Sequence, residues 1–195
     1  MTVANKLTFL RIILAPLFFV IYRLPGTGAV WAVPVLWFIY IVSEVTDLLD
    51  GFAARKYNEV SDFGKFFDPF ADTLTQLGCF LCFVLDGIFP AILYLLVIYR
   101  EFSILFIRNL MLRKGVAMGA RMSGKIKTVA YIIAGGAALL FSSLRRLSLF
   151  ERLFVYIRPA VIIIFLISVV FSVISFFDYL SVYRKAEKNA ANPGT

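Results

Sequence analysis

The chain has 195 residues, 61% of them hydrophobic and only 16% charged, with 21 phenylalanines. An ordinary globular domain is roughly 45–50% apolar, so this composition excludes a disordered chain, a disulfide scaffold and a water-soluble enzyme, and points to an integral membrane protein. Twenty Lys+Arg against twelve Asp+Glu leave +8, an excess that in a membrane protein sits near anionic headgroups. No nucleic-acid partner is expected, because that needs a water-exposed basic face with interleaved aromatics.

Six apolar runs are long enough, or nearly so, to cross a bilayer, which takes about 20 helical residues. They cover about 7–22, 30–45, 66–85, 90–112, 128–144 and 154–183. The expected fold is therefore all-α, a polytopic membrane protein with six transmembrane helices. Residues 1–185 form one six-helix catalytic domain, and 186–195 form a polar tail that frays. Turn chemistry marks the breaks: Leu24-Pro25-Gly26-Thr27-Gly28, Asp86-Gly87 before Pro90, and Gly115-Val116-Ala117-Met118-Gly119. The first run lacks a small-residue cleavage site after it, so it is expected to stay as a helix rather than leave as a signal peptide. Cys79 and Cys82 form a CxxC inside an apolar run. Without a thioredoxin-like context they read as small core residues.

Basic residues set the orientation. The N-terminus, second and fourth loops and C-terminus hold Lys6, Arg11, Arg55, Lys56, Lys65, Arg113, Lys114, Arg121, Lys125, Lys127, Arg184, Lys185 and Lys188. The opposite side holds Arg23, Arg145, Arg146, Arg152 and Arg158. Thirteen against five places both termini in the cytoplasm.

The acidic residues are uneven: seven of the twelve lie between Glu44 and Asp72. Asp47, Asp50, Asp68 and Asp72 fall where the second run ends and the third begins, and carboxylates at membrane depth are functional candidates by default. Asp47 and Asp50 are i, i+3, and Asp68 and Asp72 are i, i+4, so each pair shares a helix face. A short link at about 57–65 predicts antiparallel neighbours whose two pairs meet at one end. Four like charges there need protons or cations. Oxygen donors without His or Cys select Mg²⁺ or Mn²⁺, and two such ions about 4 Å apart clamp phosphate oxygens. The blander reading is a solvated acidic helix end paired with Arg55 and Lys56. A cation transporter would also put carboxylates in the membrane, but near its midplane and in repeated halves, whereas these cluster at one end without a repeat. Gly51, Ala54 and Gly64 allow either close helix packing or room for a base or pyrophosphate, and Arg55 offers a planar donor fork for phosphate.

Asp47-x-x-Asp50-Gly51-x-x-Ala54-Arg55, eight residues, then Gly64-x-x-x-Asp68-x-x-x-Asp72 resembles the complete motif of the CDP-alcohol phosphotransferases. Asn5-x-x-Thr8-x-x-Arg11, Asp62-Phe63-Gly64-Lys65-Phe66, Asp68-Pro69, Arg100-Glu101 and Gly124-Lys125-x-Lys127-Thr128 are similar to one branch, the bacterial phosphatidylglycerophosphate synthases. That branch often has Lys after the last motif Asp, where this chain has Thr73.

The resemblance implies transfer of a phosphatidyl group from CDP-diacylglycerol to glycerol 3-phosphate, with release of CMP. Inositol phosphate, serine, choline or phosphatidylglycerol remain alternative acceptors. It implies Asp47, Asp50, Asp68 and Asp72 as ligands of two Mg²⁺ or Mn²⁺ ions, with Asp72 also the general base. Gly51, Ala54, Arg55 and Gly64 would line the CDP pocket. It further implies a homodimer in membrane lipid, in a bacterial inner membrane with the site facing the cytoplasm. A phosphorylated acceptor needs cations of its own. Arg100 and Arg108 lie in the fourth apolar run eight residues apart, hence on one face, with Glu101 available to a neighbouring helix. Arg108 and Lys125 lead as acceptor-phosphate residues, with Arg100, Lys127 and Ser123 beside them.

Overall fold

A computed structural model describes residues 3–26, 28–57, 62–113 and 121–191, with side chains over 8–26, 28–46, 67–113 and 121–187. Six helices account for nearly all of it: α1 Val3–Arg23, α2 Ala32–Tyr57, α3 Asp62–Leu85, α4 Ala91–Arg113, α5 Met122–Arg146 and α6 Phe154–Ala191. A single 3-10 turn, Glu151–Leu153, precedes α6, and there is no strand among the described residues. Each apolar run falls on one helix to within two residues, and polar residues lengthen most of the helices at their ends. α6 is the clearest case: its 38 residues reach about 57 Å at 1.5 Å per residue and continue to Ala191, through most of what the sequence reads as a fraying tail.

The expected turns form where glycine supplies a left-handed backbone. Gly26 has φ +73° and Gly87 φ +68°. At Gly87 the α3 terminus closes with Gly87 N donating to Val84 O (2.9 Å) and Ile88 N to Phe83 O (2.8 Å), a glycine-terminated helix end. The loop expected at 115–119 lies outside the described residues.

α1 packs against both α2 and α3, α4 and α5 pack against α6, and α3 meets α4. The short α2–α3 connection predicts that these two helices are each other's neighbours. Among the described residues, α1 is instead the main partner of both. The connection ties only the helix ends, while Ala15 of α1 sits against Gly78 of α3, where an added Cβ would be 3.8 Å away, and small residues let backbones approach.

The core is aromatic. Phe18, Tyr22, Phe80, Phe83, Phe89, Tyr131 and Phe165 are buried together, and Phe89 stacks on Phe165 at 3.8 Å. Cys79 and Cys82 are free buried thiols within it. Polarity runs inward on α6, where Ser168, Ser172 and Ser175 are buried while Ile163, Ile174 and Phe177 are exposed. Ile13, Phe38, Ile92 and Phe106 are likewise exposed on other helices. By length and composition α5 and the segment Glu151–Glu187 are able to cross a membrane, and the described part of α2, Ala32–Thr46, is apolar but shorter.

At the end of the bundle where α3 terminates, Tyr22 Oη donates to Asp86 Oδ2 at 2.8 Å and lies 2.8 Å from Ser142 Oγ. Arg146 donates to the carbonyls of Gly26 (2.7 Å) and Tyr22 (2.6 Å). Arg23 and Arg145 approach Asp86 at 3.7 and 3.6 Å. This end is thus locked by arginines that serve the fold.

Candidate active site

The other end of α3 carries the carboxylates. Asp68, Asp72 and Gln76 recur every four residues and share a face. Opposite them, α1 interrupts its apolar run with Thr8 and Arg11, one turn apart and fully buried. The two polar patches match: Thr8 Oγ1 donates to Asp68 Oδ1 at 2.6 Å, and Arg11 forms a salt bridge with Asp72. Arg11 is 2% exposed and Asp72 43%, so the arginine is fixed in the wall while the carboxylate stands open to a ligand.

Asp47, Asp50, Gly51, Ala54 and Arg55 lie on the last turns of α2, and Gly64 on the first turn of α3. Their side chains lie outside the described residues. The donor set tests the expectation of a metal: Asp68 and Asp72 face α1 on one side of α3, α1 packs on both α2 and α3, and every candidate ligand is a hard carboxylate oxygen. That chemistry fits Mg²⁺ or Mn²⁺.

A cavity of about 250 Å³ opens beside Asp72. Its wall includes Arg11 from α1, Ser43 and Glu44 from α2, Thr73 and Gln76 from α3, Arg100, Glu101 and Arg108 from α4, Lys125 and Lys127 from α5, and Tyr179 from α6. Arg121, just before α5, joins them, so six cationic side chains and three carboxylates (Glu44, Asp72 and Glu101) line it. The excess is positive, as an anionic ligand requires.

The cations are held differently. Arg100 donates to Glu101 Oε1 (2.8 Å), to Ser175 Oγ (2.9 Å) and to the carbonyl of Ser172 (3.2 Å). Lys127 Nζ donates to the same Glu101 oxygen at 3.0 Å and lies over the Tyr131 ring at 4.6 Å. Tyr131 Oη in turn donates to Ser172 Oγ at 2.6 Å. This buried network ties α4, α5 and α6 together behind the cavity, and Glu101 does find its partner on a neighbouring helix. Arg108 sits over the Tyr179 ring at 5.8 Å. Neither Arg108 nor Lys125 has a carboxylate partner among the described residues.

Arg121 forms a two-pronged pair with Asp178 at 2.6 and 2.6 Å. The hydrogen bonds that Arg121 donates to Asp178 raise its guanidinium above the ordinary pKa. Ser123 donates to the same carboxylate at 2.5 Å and is not part of the cavity wall, unlike Gly124 and Lys125 beside it. The N-cap residue Arg121 makes no side-chain cap bond at the start of α5, and a helix start favours an anion.

Four of the five expected acceptor residues, Arg100, Arg108, Lys125 and Lys127, thus meet Asp72 around one cavity. Sequence reasoning did not single out Gln76, Arg121, Asp178 or Tyr179 for the site. Asp178 had a usable signal, being a lone carboxylate within the last apolar run. Gln76 had one too, four residues beyond Asp72.

The sequence model for CDP-alcohol phosphatidyltransferases matches residues 1–174. The chain is 35% identical over 199 residues to the CDP-diacylglycerol–glycerol-3-phosphate 3-phosphatidyltransferase of Treponema pallidum, covering 94% of this chain and 89% of that protein. It is 34% identical over 195 residues to the protein of the same name from Bacillus subtilis, covering 95% and 97%. It is 32% identical over 137 residues to a probable phosphatidylglycerophosphate synthase of Mycobacterium tuberculosis, covering 70% and 65%. With the motif carboxylates on α2 and α3 and the match running through five helices and into the sixth, the chain belongs to the CDP-alcohol phosphatidyltransferase family.

Proposed function

We propose that this protein transfers the phosphatidyl group of CDP-diacylglycerol to glycerol 3-phosphate, forming phosphatidylglycerophosphate and releasing CMP. The observation that carries the acceptor is the cavity: Asp72 opens into a small space with an excess of cationic side chains. About 250 Å³ is below the roughly 300–1,000 Å³ of a site for a drug-sized ligand, which suits a polyol phosphate. Relatives named for this acceptor, matching over nearly the whole chain, support the same reading.

In this mechanism the acceptor phosphate rests against Arg108 and against Lys125 at the start of α5. Arg100 and Lys127 add positive potential from behind, through the Glu101 network. The acceptor hydroxyl then lies toward Asp72. An alcohol is a poor nucleophile, and a carboxylate within hydrogen-bond reach takes its proton as the bond to phosphorus forms. The oxygen attacks the phosphorus that carries diacylglycerol, the bond from that phosphorus to the bridging oxygen breaks, and CMP departs. Arg11 orients the Asp72 carboxylate and Thr8 orients Asp68. Asp47, Asp50, Asp68 and Asp72 would hold two Mg²⁺ or Mn²⁺ ions, whose chemistry is to neutralise diphosphate charge and favour CMP as leaving group. Gly51, Ala54, Arg55 and Gly64 belong to the CDP pocket in this proposal.

Six membrane spans, a homodimer, and a cytoplasm-facing site in a bacterial inner membrane complete it. The outward apolar side chains of α1, α2, α4 and α6 support lipid contact, and a donor whose acyl chains stay in lipid then meets a water-soluble acceptor at one membrane face. The test is CMP release by purified protein with CDP-diacylglycerol and Mg²⁺ or Mn²⁺, across glycerol 3-phosphate, inositol phosphate, serine and choline. Release with glycerol 3-phosphate alone is expected. Release with a different acceptor would keep the chemistry and overturn the acceptor.

A further inference from the structure

Gln76 is a cavity residue whose hydrogen-bonding capacity points to a ligand. Its Nε2 is shielded and has no hydrogen-bond partner, while the residue is part-exposed and belongs to the cavity wall, so a turn of the carboxamide presents this donor to a ligand. A buried amide donor without an acceptor costs free energy comparable to a lost hydrogen bond, so such groups in folded proteins find a partner. Among the described residues none is supplied, although Thr75 beside it has both Ala71 O (2.9 Å) and Arg11 O (3.4 Å) within reach. Its place on α3 matters as much. Gln76 is four residues beyond Asp72, on the same face and about 6 Å further along the axis. Arg100 and Glu101 stand in the same wall.

Resting on the acceptor reading above, we propose that the Gln76 carboxamide donates to the C2 hydroxyl of the acceptor and selects for a vicinal polyol phosphate. With the attacking C1 hydroxyl hydrogen-bonded to Asp72, the neighbouring hydroxyl lies on the way toward Gln76. Two hydrogen bonds of about 2.8 Å joined by the short span between adjacent hydroxyls bridge a 6 Å step without strain. The Arg108 and Lys125 side chains then receive the phosphate. Serine and choline present no hydroxyl to this donor once their own is at Asp72.

The probe is 3-hydroxypropyl phosphate, which keeps the nucleophile and the phosphate and lacks only the C2 hydroxyl. The wild-type enzyme is expected to favour glycerol 3-phosphate over it by at least about 10-fold in kcat/KM, because the analogue leaves the buried amide unpaired. Gln76→Met, which keeps the length of the side chain, and Gln76→Leu are expected to bring that ratio within about 2-fold, through a higher KM for glycerol 3-phosphate and an unchanged KM for CDP-diacylglycerol. A purely structural role would lower both acceptors alike and leave the ratio standing, which would overturn the assignment. A wild-type enzyme that uses both acceptors equally would overturn it without any variant and would mean that water satisfies the amide. CMP release with neither acceptor, but with another of the panel, would overturn the acceptor reading and the Gln76 assignment together.

Discussion

Glu101 is the position where a single atom changes most. One of its carboxylate oxygens accepts from both Arg100 (2.8 Å) and Lys127 (3.0 Å). The Glu101 side chain is 8% exposed, that of Arg100 6% and that of Lys127 14%. Glu101→Gln keeps the shape and removes the charge, leaving two buried cations facing a neutral amide. Breaking a buried pair by removing one partner costs about 3–5 kcal/mol. At roughly 2–4 °C per kcal/mol for a chain of this size, Tm should fall by roughly 6–20 °C. The assay is built into the protein: its two cysteines are free and buried, so a maleimide fluorophore reports unfolding in detergent as they become exposed. Adding Lys127→Met removes the surplus cation, and the double variant should recover part of the loss, a coupling that a thermodynamic cycle isolates. A Tm for Glu101→Gln within about 2 °C of the wild type would refute the network as a structural tie between α4 and α5.

Asp72→Asn is expected to lower CMP release by about 10²–10⁴-fold while equilibrium binding of CDP-diacylglycerol persists; turnover near wild type would remove Asp72 as the base. Arg108→Ala should raise the KM for glycerol 3-phosphate about 10-fold or more and shift the donor KM less than about 2-fold, as one charge-assisted contact to phosphate is lost; an unchanged acceptor KM takes Arg108 out of the site. Gly135→Ala tests the α2–α5 contact. A Cβ there would be 2.6 Å from Tyr40 Oη, whose hydroxyl is fixed by its bond to Ile132 O at 2.8 Å. Overpacking of about 1–3 kcal/mol should lower Tm by roughly 2–12 °C, with partial recovery in Gly135→Ala/Tyr40→Phe. An unchanged Tm would show that Tyr40 yields freely.

What was legible in the sequence was what local spacing encodes. The helix of each apolar run, the shared face of Asp68 and Asp72, and the common side of Arg100 and Arg108 all follow from 3.6 residues per turn, and all appear in the structure. What lay beyond it depends on which helix faces which. Ser123 stands beside Lys125 in the chain, yet its hydroxyl is drawn to Asp178, 55 residues away. Arg100 reads as an acceptor-phosphate residue, and only the packing of α6 shows it held by Ser172 and Ser175. A short loop between α2 and α3 suggests a closed pair, but the loop says nothing about α1, whose Thr8 and Arg11 complement Asp68 and Asp72. Polar partners from distant segments are set by tertiary packing, and no periodicity reports them.

The positions of Asp72 and Asp86 have a consequence for the surrounding lipid. Fourteen residues of helix separate them, about 21 Å at 1.5 Å per residue, whereas the hydrocarbon core of a bilayer is about 30 Å thick. In the six-span arrangement proposed above, with Asp86 and its arginines at one headgroup boundary, Asp72 would lie roughly 9 Å short of the other. A short hydrophobic span is met by local thinning of the bilayer, so in that arrangement the leaflet would dip around the mouth of the cavity. The headgroup of a lipid substrate would then descend with that surface to the level of the carboxylates, and its acyl chains would not need to leave the hydrocarbon.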